Sequence, residues 1–251
     1  MEDKLYEMMD WAEIEAVVYS EENQPRNILG PHKTKDGIVI QGYFPDAVEA
    51  SVKLLSDEKT VPMVQEDEGG YFAVLLPGTK IPEYRFVVTG PDGEKEEFYD
   101  AYAFPCQLDE KAQKQFEAGI CYNVYEMLGA HPAVIDGVRG TCFAVWAPNA
   151  IRGSVVCDFT HWDGRMNQMH LHESGIYELF IPEVGEGALY KYEIKAKGGL
   201  VYLKADPYAN ASQLRPDTAS VVADLGKYRW QDGDWMKQRR KVQGDKTPMY
   251  V

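Results

Sequence analysis

Apolar residues recur along most of this chain in short strand-like runs separated by Gly, Pro, Asp and Asn. Gly37–Phe44, Ala50–Leu55, Tyr71–Leu76 and Tyr84–Thr89 each read as a strand, with Pro45-Asp46 and Pro91-Asp92-Gly93 as turns. Thr141–Trp146 and Ser154–Asp158 form a further pair joined by Pro148-Asn149, and Val155 and Val156 suit a pleated surface because β-branched side chains are stiff at χ1. Asp163-Gly164 is another turn signal, so Trp162 is expected at a loop end rather than within a strand. Helical spacing is confined to two places. Leu5, Met8, Met9 and Ala12 share a face, and Asp10 with Glu13 makes a capping-box-like start for a helix from Trp11 to about Ser20 that is over by Pro25 and Asn27. Asp109–Ala118 reads as a short polar helix stopped by Gly119. The fold class is therefore all-β, in antiparallel sandwiches with short helices at the N-terminus and between domains.

The pattern occurs twice. Leu29-Gly-Pro-His32 returns as Leu128-Gly-Ala-His131 at an offset of 99. Gly70–Pro77 returns as Gly175–Pro182 at 105, and Tyr84–Val88 as Tyr190–Ile194 and Asp100–Ala103 as Asp206–Ala209 at 106. Order is kept and the offset drifts by only seven residues, which predicts two tandem immunoglobulin-like sandwiches. The expected boundaries are 1–107 for the first sandwich with a helical lead-in at 1–27, 108–126 for a linker helix, 127–225 for the second sandwich and 226–251 for a trailing linker. Within that linker Tyr228, Trp230 and Trp235 are read as aromatics anchoring a solvated segment, in preference to an interaction site.

Composition narrows the partners. At 251 residues there is material for two cores, and 26 Lys+Arg against 40 Asp+Glu give a net charge of −14. Such a surface repels phosphate backbones and anionic lipids, which argues against nucleic acid and membrane as partners. Neutral polysaccharide carries no such penalty, and the five Trp and 16 Tyr offer rings that stack on it. Cys106, Cys121, Cys142 and Cys157 lack the paired spacing of a zinc motif and read as reduced thiols of a cytoplasmic protein; no signal peptide or membrane span is visible.

Candidate chemistry is sparse. No Gly-x-Ser-x-Gly, phosphate loop or dinucleotide fingerprint occurs, and no two carboxylates are placed together by sequence, so neither a catalytic site nor a cofactor is expected. His170 and His172 share a strand face, but nothing nearby in sequence supplies a third ligand, and the pair reads as a surface feature without metal. His32 and His131 occupy matching places and are read as tying down the entry to each sandwich. Trp162 has no aromatic counterpart in the first copy. It suits a sugar-stacking platform, with Lys191 as a hydroxyl donor, or a cover for the sandwich edge, and the residues leave both open.

Phe143-Ala-Val-Trp-Ala-Pro-Asn-Ala150, Asp158-Phe-x-x-Trp162-Asp-Gly164, Ala188–Ile194, Lys204-Ala-Asp-Pro-Tyr-Ala209 and Leu214-Arg-Pro-Asp-Thr-Ala-Ser-Val-Val222 closely resemble bacterial 1,4-α-glucan (glycogen) branching enzymes, with Leu128–Pro132 in the same signature. The resemblance covers essentially the whole chain. It implies an N-terminal sandwich followed by a family-48 carbohydrate-binding module, then a catalytic barrel that Thr247–Val251 resembles only at its start. The implied parent reaction cuts an α-1,4-glucan and transfers the piece to a 6-hydroxyl; this chain, without the barrel's acidic motifs, is expected to be inactive alone. Similarity to the glycogen-binding modules of AMP-activated protein kinase β-subunits implies glucan contacts at Trp162 and Lys191, with Asp163 beside the tryptophan and Thr218 further along. A second stacking tryptophan of those modules falls near Leu203, and Cys157-Asp-Phe-Thr160 departs from the branching-enzyme pattern Gly-Asp-Phe-Asn. The expected partners are α-glucans (glycogen and maltooligosaccharides) and the barrel in cis. The alternatives are a brace that holds no sugar and a free-standing glycogen-targeting module.

Overall fold

The computed structural model describes residues 5–242. After a helical lead-in, α1 (Trp11–Val18), the first sandwich contains β1 (Gly30–Lys33), β2 (Ile38–Tyr43), β3 (Glu49–Leu54), β4 (Thr60–Pro62), β5 (Val64–Asp67), β6 (Tyr71–Leu76), β7 (Tyr84–Thr89) and β8 (Lys95–Phe98). They form two antiparallel sheets, β1-β2-β6-β5 and β4-β3-β7-β8. A linker helix, α2 (Glu110–Glu117), leads to β9 (Gly129–Ile135), β10 (Val138–Trp146), β11 (Ala150–Cys157), β12 (His170–Leu171), β13 (Ile176–Pro182), β14 (Leu189–Ala196), β15 (Val201–Lys204), β16 (Ala211–Ser212) and β17 (Ser220–Val221). These again make two sheets, β9-β10-β13-β12 and β11-β14-β17-β16, with β15 also paired to β14. The repeat read from sequence is thus a repeat of sheet plan.

Each core lies between its two sheets. Ile40, Val52, Phe72, Val74 and Phe86 fill the first, and Phe143, Val155, Tyr177, Leu179 and Tyr190 the second. A sheet has two faces, and in both copies a preceding helix covers the outer one. Ile14 and Val17 of α1 pack on Val39, Tyr43 and Tyr71. Phe116, at the end of α2, and Val124 pack on Ala144 and Ile176. That double cover is why β6 and β13 are apolar nearly throughout instead of alternating. Asp10 and Asp109 cap the two helices by accepting the amides of Glu13 and Ala112.

The entry to each sandwich is built alike. Gly30 and Gly129 sit at φ +94° and +110°, and a Cβ at either would crowd Tyr102 or the carbonyl of Tyr208. His32 and His131 donate from Nε2 to the carbonyls of Leu29 and Leu128 at 3.2 and 3.0 Å. Close by, Asp100 accepts from the Tyr84 hydroxyl at 2.5 Å, and Asp206 from that of Tyr190 at 2.6 Å.

The trailing segment differs from expectation. A third helix, α3 (Gly233–Val242), forms there, and Tyr228, Trp230 and Trp235 are 66%, 78% and 61% exposed. Tyr228 and Trp230 meet edge-on at 5.0 Å and Arg239 lies 5.6 Å from the Trp235 ring, contacts that stay within the trailing segment. The barrel-like stretch Thr247–Val251 lies outside the described residues. No described helix is long and apolar enough to cross a membrane.

Candidate functional site

The loop after β11 presents Trp162. Beyond Cys157 the chain makes one tight turn, Asp158–Thr160, followed by two consecutive left-handed residues, His161 at φ +50° and Trp162 at φ +60°. Left-handed backbone is costly for residues with a Cβ, so the surroundings must hold it. Thr160 does so from inside: its buried hydroxyl accepts the Cys157 amide at 3.0 Å and donates to the Cys157 carbonyl at 2.9 Å. The Trp162 amide donates to the same carbonyl at 3.1 Å, and its indole N–H to Asp158 Oδ1 at 3.0 Å. The ring is therefore pinned by its edge and half-buried. Phe159 and His161 of the same turn point elsewhere, lining a cleft of about 640 Å³ between the sandwiches with Phe44, Phe98, Ile181 and Val184.

From Trp162 the loop folds over the outward face of β14. Lys191, Glu193 and Lys195 alternate with core residues Tyr190, Tyr192 and Ile194, so they share that face. Gly164 lies against Glu193 so closely that a Cβ would collide with the carboxylate. Arg152 of β11, 2% exposed, fixes the arrangement. Its guanidinium donates to the Gly164 carbonyl and to Ser154, pairs with Glu193 at 2.6 Å, and reaches the Ser20 carbonyl of the lead-in at 3.2 Å. Lys195 is taken by the lead-in as well, donating to the Tyr19 carbonyl at 3.1 Å and to Glu21 at 3.0 Å.

Lys191 donates to Thr218 Oγ1 at 2.9 Å, so two of the four expected site residues touch each other. Thr218 is exposed and neutral, which leaves the ammonium two further protons to give and, among the described residues, no carboxylate paired with it. Leu203 of β15 stands opposite Glu193 in register and is 53% exposed on the same face. Asp163 has a different position in the network. Its carboxylate takes Arg165 Nη2 at 2.7 Å and Nε at 2.9 Å, and Arg165 carries on to Asp46 of the first sandwich at 2.8 Å. Burial alone would raise the Asp163 pKa, but the hydrogen bonds from Arg165 outweigh it and lower it. Asp163 fastens the loop across the domain junction.

Sequence reasoning passed over Asp158, Arg152, Glu193 and Arg165. Asp158 was legible in principle, since an acceptor four residues before a loop tryptophan can take its N–H. The others act through residues distant in the chain. The His170–His172 reading needs correction, because the pair is not on the surface. Both rings are half-buried, and Cys106 and Glu178 join His172.

Two family models match the chain, one for each sandwich. The alpha-1,4-glucan branching enzyme GlgB, N-terminal domain, matches residues 10–102, and Carbohydrate-binding module 48 (Isoamylase N-terminal domain) matches residues 127–209. A 1,4-alpha-glucan branching enzyme GlgB of Rubrobacter xylanophilus is 42% identical over 239 residues, covering 95% of this chain and 33% of that protein. The same enzyme of Gloeobacter violaceus is 43% identical over 244 residues, with 95% and 33% covered. The chain thus spans about a third of the length of the curated relatives it matches. Among solved structures, a pullulanase from Anoxybacillus sp. LM18-11 complexed with maltotetraose aligns at 19% identity over 80% of this chain and 27% of that one, with a TM-score of 0.36. Each sandwich carries its own matching domain model, in the order in which the relatives run, and the chain belongs to the GlgB branching-enzyme family.

Proposed function

We propose that the second sandwich holds α-glucan chains on the outward face of β14, as the non-catalytic N-terminal region of a glycogen branching enzyme. The observation that carries this reading is the pinned, half-buried indole of Trp162 beside a face where Lys191 meets neutral Thr218. An indole fixed by its edge offers a flat π-face to the C–H face of a glucose ring, and an unquenched ammonium offers donors to hydroxyls. The reaction served is the family's transfer of an α-1,4-glucan segment to a 6-hydroxyl, performed by a catalytic barrel in cis. A net charge of −14 supports a neutral polymer over nucleic acid or a membrane surface, and four free cysteines support a cytoplasmic setting.

Electrophoresis through glycogen-containing gels tests the proposal. The chain is expected to be retarded, and Trp162→Ala to weaken binding about tenfold, equivalent to ~1.4 kcal/mol. Unchanged retardation in a folded Trp162→Ala variant would remove the platform. A second reading, a brace for the barrel, has its own support in the exposed Tyr228, Trp230 and Trp235. Those rings offer apolar surface at the C-terminal end of the described chain. Absence of retardation in the wild type would favour that reading.

A further inference from the structure

Cys106, His172 and Glu178 come from three segments: the stretch after the first sandwich, the turn after β12, and β13. One ligand atom from each lies within 4.8 Å of the others. Glu178 is 2% exposed and the His172 side chain 15%, with Nε2 and Oε2 at 2.8 Å. The other Glu178 oxygen accepts the amides of Gln107 and Leu108, the latter at 3.1 Å. The carboxylate is thus oriented from behind, as metal-binding carboxylates are, with its second oxygen turned to His172 and Cys106. A second, independent observation borders the cluster. His170, opposite Glu178 in register, sets its ring edge-on to that of His172 at 5.4 Å, and its Nδ1 is buried with no hydrogen-bond partner. A buried polar atom without a partner calls for a missing ion or water.

We propose that Cys106, His172 and Glu178 form a binding site for a borderline transition-metal ion of the zinc type, its fourth position open to water beside His170. The donor set selects the metal. One sulfur, one imidazole nitrogen and one carboxylate oxygen match Zn²⁺, while Mg²⁺ and Ca²⁺ demand oxygen throughout. Binding replaces the proton between His172 and Glu178 and releases the thiol proton, so the metal takes over contacts already arranged. Cys106 is partly exposed, which gives the ion a route in. The site would fasten the segment after the first sandwich to the β12–β13 edge of the second.

Titration of the full 251-residue chain with Co²⁺ tests the site. The expected result is one equivalent bound, with a thiolate-to-cobalt charge-transfer band that Zn²⁺ abolishes. Cys121→Ser retains the band. Cys106→Ser loses it and binds Co²⁺ more weakly by more than the roughly 10–100-fold cost of removing a group that only orients a ligand. In case Cys106→Ser does not fold, alkylation of the wild type by iodoacetamide, mapped by peptide mass spectrometry, gives a separate readout. Zn²⁺ should protect Cys106 and leave Cys121 reactive. No stoichiometric Co²⁺ binding, a band that survives in Cys106→Ser, or Cys106 alkylation indifferent to Zn²⁺ would each overturn the proposal.

Discussion

The two sandwiches share a sheet plan, a covering helix, a glycine–histidine entry and a buried Tyr–Asp pair, yet they differ at equivalent points of one face. In the first, Arg85 stands where the second has Lys191. Arg85 is consumed: it pairs with Glu97 at 3.3 Å and Glu183 at 2.7 Å, and stacks over Tyr99 at 4.3 Å. Lys191 has, among the described residues, a hydroxyl partner only. Where the first copy places Glu97 opposite Val87, the second places Leu203 opposite Glu193. The connection after the third strand differs too. β3 is flanked by β4 and shielded, whereas β11 gives way to the loop that carries Trp162. The first copy ties this position up in ion pairs, whereas the second confines its ion pairs to Glu193 and Lys195 and leaves Lys191 on a hydroxyl. A duplicated scaffold has kept its core and diverged in its connections, where binding residues can change without disturbing packing.

The largest expected effect comes from Arg152. Its positional equivalent in the first copy is Glu49, which is exposed. Arg152→Ala strands partly buried Glu193 and frees the Gly164 carbonyl, and should cost about 3 kcal/mol. Glu49→Ala should stay within roughly 0.5 kcal/mol. Urea unfolding compares them, and equal costs would mean that the Trp162 loop is not held as described.

The Tyr–Asp pairs sharpen the comparison through pH. Burial pushes the Asp100 pKa up to about 6, against the hydrogen bonds from Tyr84 and Tyr102, and burial raises Asp206 as well. A carboxyl with a raised folded-state pKa contributes stability that is present below its unfolded value near 3.9 and lost as pH rises through its folded value. Wild type should therefore lose about 2 kcal/mol between pH 4 and pH 7 relative to Asp100→Asn, measured by denaturation at each pH. Parallel pH profiles for the two proteins would remove the buried-acid account.

The smallest effect tests whether the open face is the one that matters. Leu203→Trp should tighten glycogen binding about fivefold, from ~1 kcal/mol of added ring contact. Glu97→Trp, at the equivalent place in the first sandwich, should leave it unchanged. Equal gains from both would point to general stickiness of added aromatics.

Most of this architecture was legible in the chain. Tyr71–Leu76 and Tyr84–Thr89 are strands to the residue, because turn formers bound them and their side chains suit a pleated sheet. The repeat was legible because each matched residue plays a local part. Gly30 and Gly129 adopt positive φ, and His32 and His131 bond three residues back. Trp162 and Lys191 could be singled out by type. What could not be read depends on long-range approach. Arg165 reaches Asp46 across 119 positions, and Arg152 reaches Ser20 across 132. Likewise Cys106 meets His172 only because the segment after the first sandwich crosses the β12–β13 edge. Short strands such as β4 and β15 carry too few residues for a periodic signal. The exposed aromatics after Asp224 defeat the rule that rings are buried.

The guanidinium of Arg152 bears on how such modules travel between proteins. Part of what holds the Trp162 loop is a backbone carbonyl belonging to the lead-in of the other sandwich. Cutting the second sandwich out at its own boundaries would expose that arginine on one side and free Lys195 of Glu21 on another. The face proposed to hold glucan is therefore joint property of two domains. It would be inherited intact only when both are transplanted together, so the unit of exchange for this face is the tandem pair.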